Sequence, residues 1–215
     1  MMKVFLAIGF RPFYLLGAAF AVLALPPWLA SFSGNVALTP HGMPWHSHEM
    51  VFGFVPAILT GFLFTAVRNW TGQPTPKGPL LGLIVVLWLA ARFLLAVGNS
   101  MPAIMLDILF LPVIAVAIAV PIYGSRNARN YKVVTLAGLL AAAHILVHHP
   151  AAISIGFSRQ AMFAFVDVMA ILFALIGGRI IPAFTRNAVA GSNPRYVRWV
   201  EFIAFGSLVL VVLLD

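Results

Sequence analysis

The histidines of this chain carry its clearest chemical signal. His144 and His148 are spaced i, i+4, which on a helix puts both imidazoles on one face, about 6 Å apart. That spacing suits two-point ligation of a transition metal. A second group, His41, His46 and His48, lies with Glu49 in the segment His41-Gly-Met-Pro-Trp-His-Ser-His-Glu-Met50. His46 and His48 both reach inward if a helix starts between them, just after Pro44. Glu49 suits three roles: a ligand, a partner that fixes a histidine tautomer, or a proton acceptor. His149 points about 100° away from His148 on a continuing helix. Cysteine is absent, which excludes disulfides, thiolate sites, iron–sulfur clusters and covalent haem attachment. The candidate metal ligands are therefore His46, His48, Glu49, His144, His148 and His149. His41 reads as an exposed loop residue. Met43 and Met50 read as packing rather than as soft ligands.

The elements that must hold these residues follow from composition. Of the 215 residues, 62% are hydrophobic and only 8% charged, against roughly 25% charged in a soluble domain. That excludes a soluble enzyme, a nucleic-acid-binding domain and a disordered chain. The apolar runs are continuous rather than alternating, so a membrane β-barrel is disfavoured. The reading is an all-α polytopic transmembrane bundle forming a single domain over residues 1–215. A span needs about 20 apolar residues, and about seven stretches qualify: 12–31, 49–67, 79–98, 102–122, 132–150, 160–181 and 197–214.

Charge sets the orientation. Lys3, Arg11, Arg68, Lys77, Arg126, Arg129, Lys132, Arg179, Arg186, Arg195 and Arg198 all fall on one side of that arrangement, leaving only Arg92 and Arg159 for the other. The positive-inside rule puts the N-terminus in the cytoplasm. The net charge of +8 then reflects cytoplasmic loops, not a nucleic-acid partner.

With this orientation the six histidines gather at the outer side, together with Glu49, Arg92, Asp107 and Asp167. At 1.5 Å per residue all lie within about 10 Å of the outer interface. Intramembrane ionisable groups cost about 2.5–3.5 kcal/mol each, so they usually face the bundle interior. Any one histidine is simply explained as an interfacial side chain; five at one depth argue for ligation of a metal or haem. Arg92 and Asp107 flank the tight Gly98-Asn99-Ser100 turn at similar depth, which suggests a structural salt bridge. The alternative is that Arg92 binds an anionic group such as a haem propionate. Asp167 has no basic partner on its own helix and could pair with Arg92 or a histidine, or sit in a proton path. At the inner side, Gly177-Gly178 permits close helix approach. Arg179 reads as structural, snorkelling to headgroups or anchoring a turn at Pro182. Glu201 stands i+3 from Arg198 as a local pair.

Five stretches make the sequence recognisable: Gly9-Phe-Arg-Pro-Phe-Tyr14, Trp45-His-Ser-His-Glu-Met50 with Phe52-Gly53, Gly61-Phe-Leu-Phe-Thr-Ala-Val67 followed by Asn69-Trp-Thr-Gly72, Arg126-Asn-Ala-Arg-Asn130, and Gly177-Gly-Arg-Ile-Ile-Pro-Ala-Phe-Thr185. Together they resemble the NnrS family over about residues 9–187. The resemblance implies a haem- and copper-containing bacterial inner-membrane protein of nitric oxide metabolism, associated with denitrification and nitrosative stress. Family members are about twice this length, so the resemblance covers their N-terminal half. It further implies that a complete metal set draws on a second copy of the chain or on a C-terminal half. By matching motif, His46, His48 and Glu49 carry over first, and His148 next by position; His46, His48, His148 and Arg92 are the candidate cofactor-binding residues. The expected function is haem and copper binding with nitric oxide as small-molecule ligand. Whether the chain is catalytic stays open at this stage. The alternative is a transporter or channel for a metal, haem or small ion, which the lack of an inverted repeat disfavours.

Overall fold

Apolar runs of this length fold as helices because each backbone polar group must find its partner inside the segment. The computed structural model describes residues 2–34, 42–194 and 197–214, so His41 and Arg195 lie outside the described residues. The elements are α1 (Met2–Phe5), α2 (Phe10–Phe32), α3 (Gly42–His48), a π-helical segment (Glu49–Phe54), α4 (Val55–Thr71), α5 (Gly78–Val97), α6 (Met101–Gly124), a 3-10 turn (Ala128–Asn130), α7 (Tyr131–His148), α8 (Pro150–Ser154), α9 (Ser158–Ala188) and α10 (Arg198–Leu214).

Among the described residues, six helices are long and apolar enough to cross a membrane: Phe10–Phe32, Pro44–Thr71, Gly78–Val97, Met101–Gly124, Ala128–His148 and Ser158–Ala188. This is a multi-pass membrane protein. The seventh expected stretch, 197–214, is helical as α10, but it has only 17 residues. At 1.5 Å per residue it is about 26 Å long, at the lower limit of the roughly 17–25 residues that spans use. In the other direction, α9 runs on to Ala188 with Pro182 inside it. The expected turn at Pro182 does not form. Membrane helices tolerate an internal proline because neighbouring groups re-satisfy the freed carbonyl.

The chain divides into two units, Met1–Ala141 and Ala142–Asp215, with the boundary inside α7. In the first unit α2 packs on α4, and α5 packs on α6. Hydrophobic burial drives little of this in lipid, so close van der Waals fit must do so. Two family-like motifs supply that fit. A Cβ on Gly9 would stand 2.5 Å from the Phe64 Cβ, and one on Gly61 would stand 2.9 Å from the Tyr14 ring. Phe13 meets Phe64 edge-on at 6.4 Å. Two further motifs are tied by the Asn127 side-chain amide, which donates to the Trp70 carbonyl at 2.9 Å. Thr60, Thr65 and Thr71 on α4 each donate to the carbonyl four residues earlier. Their hydroxyls are thereby satisfied without leaving the helix.

Phe64 Cβ is fixed close to its own backbone and cannot swing aside. Gly9→Ala should therefore destabilise the first unit by about 1–3 kcal/mol, the range for overpacking. A lower thermal midpoint in detergent would register it. An unchanged midpoint would show that α2 and α4 do not need this approach.

In the second unit α9 packs on α10. Gly178 faces α10, where an added Cβ would lie 3.9 Å from a Glu201 carboxylate oxygen. The Thr185 hydroxyl donates to the Ile181 carbonyl, and the Thr185 carbonyl accepts from Ser192. The last motif thus closes the end of α9.

Candidate functional site

The π-helical segment is what brings chemistry to the first unit. It widens one turn between α3 and α4, a device common at functional sites. Residues Gly42 to His48 are already helical, so the helix does not start between His46 and His48. Two residues apart on a helix, the two imidazoles leave from nearly opposite sides, and they meet different partners.

His46 lies flat against Trp28, with ring centroids 3.9 Å apart and planes 17° from parallel. Its Nδ1 is buried without a hydrogen-bond partner, as are Nε1 of Trp28 and Nε1 of Trp45.

His48 faces the buried charges. Its Nδ1 lies 3.1 Å from Glu49 Oε1, and its Nε2 lies 3.1 Å from Asp107 Oδ2. Glu49 and Asp107 are both fully buried, and Arg92 is 4% exposed. Arg92 Nη1 donates to both Glu49 oxygens, at 3.0 and 2.9 Å. Its Nη2 donates to Asp107 Oδ1. So the Arg92–Asp107 pair exists, and Glu49 joins it. The guanidinium is clamped between two carboxylates, which is the geometry that allows a charge to be buried in lipid. Arg92 Nε is buried without a hydrogen-bond partner among the described residues, so the guanidinium keeps a donor free for a further anion.

Two further contacts hold this network in place. Gly53, one turn beyond Glu49, leaves the space: a Cβ there would meet Arg92 Nη1 at 2.7 Å and Glu49 Oε2 at 3.0 Å. The Gly53 carbonyl accepts from Trp88 Nε1 at 2.9 Å, locking α5 to the π-helical segment. Sequence reasoning did not pair Glu49 with Arg92. The available signal was Gly53 itself, an i+4 neighbour of Glu49 without a side chain.

In the second unit His144 and His148 keep their expected pairing, with ring centroids 5.5 Å apart. His144 is buried and packs edge-on to Phe165. His149 is exposed and ends the helix instead of pointing from it. Its Nδ1 accepts from the Ala151 amide at 3.2 Å, capping α8. Asp167 and Arg179 are half-buried on α9.

The donor chemistry fits a metal in both units. Two ligands bound at about 2.0–2.1 Å to a tetrahedral ion stand roughly 3.3 Å apart, and their imidazole rings about 5 Å apart. His48 Nε2 and Asp107 Oδ2 are near the first value, and the His144 and His148 rings near the second. Glu49 on His48 Nδ1 is the carboxylate–imidazole arrangement that fixes the tautomer of a metal-binding histidine. Each unit thus offers a pair of metal-ligating side chains, His48 with Asp107 and His144 with His148.

A family model described as NnrS protein matches residues 4–215. The chain belongs to the NnrS family. The match runs well beyond the motif-bearing stretch, taking in α10 of this NnrS chain. No curated protein and no solved structure matches it.

Proposed function

We propose that this NnrS chain is a metal-holding protein of the bacterial inner membrane that serves nitric oxide metabolism or nitrosative-stress defence. One observation carries the reading: a half-buried imidazole, His48, held at Nδ1 by Glu49 with its Nε2 against Asp107. A carboxylate that serves only to neutralise Arg92 has no need of an imidazole between it and its neighbour. The ligands we assign are His48 and Asp107 in the first unit and His144 and His148 in the second. Glu49 orients His48, and Arg92 holds Glu49. Copper, which family resemblance suggests, suits an imidazole-rich donor set. Haem, its companion in that resemblance, would draw on His46, whose Nδ1 is buried without a partner. When bound, these groups supply the redox and nitric-oxide-binding chemistry. The chain's own part is to fix the imidazoles, neutralise the carboxylates and exclude water. Nitric oxide dissolves in lipid and would reach ligands placed near the outer interface through the bilayer.

An absorption spectrum with iron and copper analysis of the purified chain tests this. The expected protein is coloured and metal-bearing, with a Soret band that shifts on adding nitric oxide. A colourless, metal-free protein that moves solute into liposomes would overturn it in favour of a transporter.

A further inference from the structure

A groove of about 710 Å³ runs between α5 and α6 in the first unit, with no histidine in its lining. Leu80 and Ile84 form one wall, and Leu109, Val113 and Val116 the other, with proline rings completing it. Its polar contributions come from one end. There Thr75 is already bonded to the Phe64 carbonyl, and Lys77 is exposed at the mouth. Lys77 is the residue before α5, and that helix starts without a side-chain cap. The Gly78 amide is taken by the Leu6 carbonyl and Pro79 has none, so the anion preference at this tip comes from the Lys77 ammonium. The groove is therefore apolar along its length and anion-favouring at one tip.

The dimensions suit one kind of occupant. From Leu109 to Pro121 the α6 wall is about 18 Å long at 1.5 Å per residue. One leaflet of hydrocarbon is about 15 Å deep. The end bearing Lys77 also carries Arg68 and Arg126, and basic loops mark the cytoplasmic side, where anionic lipids concentrate. We propose that this groove binds one phospholipid with an anionic headgroup, its acyl chain along α5 and α6 and its headgroup at Lys77. The site is independent of the metal reading.

The test is native mass spectrometry of the full chain in detergent, offered equal amounts of phosphatidylglycerol and phosphatidylcholine with the same acyl chains. The wild type should retain one phosphatidylglycerol, preferred about fivefold or more, the effect of one basic residue at a membrane surface. Lys77→Gln should bring the two lipids to parity. Val116→Trp, at a lipid-exposed position in the groove wall, should lower retention of both. Iron and copper content should not change in either variant. Equal retention of the two lipids by the wild type would overturn the proposal. So would a preference that survives Lys77→Gln, or retention that ignores Val116→Trp.

Discussion

Arg92→Met is expected to cost about 3–5 kcal/mol, the penalty for removing one partner of a buried ion pair. The substitution keeps side-chain length, so packing is largely retained. What it removes is the guanidinium that joins two carboxylates that are themselves fully buried, Glu49 and Asp107. Those charges cannot reach solvent from within the bundle. A lower thermal midpoint in detergent, with less monodisperse protein, is the expected readout. Arg92→Lys should recover only part of the loss, because one ammonium does not reproduce the guanidinium fork between two acids. Combining Arg92→Met with Glu49→Gln and Asp107→Asn should recover more, since the triple variant leaves no buried charge unpaired. A single Met variant as stable as the wild type would mean that the network does not carry the fold.

The second large effect concerns bound metal. His48→Ala and His148→Ala should each lower the copper or iron content of the purified protein by tenfold or more. Loss of an oriented imidazole removes a ligand outright, and even an outer partner is worth about 10–100-fold in affinity. Glu49→Gln should fall within that second range, because it disturbs His48 without deleting it. His149→Ala should fray α8 and leave the metal in place, as that imidazole caps a helix start. His41→Ala serves as the control. Metal content unchanged in both the His48 and the His148 variants would refute the ligand assignment.

How far this was readable in advance depends on whether a feature is local. Hydropathy located, among its seven expected stretches, the six helices long enough to span, with ends off by up to seven residues at α9, because the length of an apolar run is a property of one segment. The i, i+4 relation of His144 and His148 and the Arg92–Asp107 pair across a tight turn are also short-range. The place of Glu49 is not. It depends on α5 packing against the π-helical segment, and that rests on Trp88 reaching the Gly53 carbonyl. The fates of His46 and His48 were hidden for a related reason: the helix begins at Gly42, before either residue. The pairing of Gly9 with Phe64, and of Asn127 with Trp70, joins motifs more than fifty residues apart. Nothing in either motif names its partner.

The widened turn at Glu49–Phe54 makes the arithmetic of the chain part of its chemistry. Such a segment holds one residue more than an α-helix would over the same rise. Were the same residues wound as regular α instead, everything before them would rotate by about 100° relative to α4, carrying His46, His48 and Glu49 away from Arg92 with no side chain among them altered. The position of these groups is thus encoded by the width of one turn as well as by residue identity.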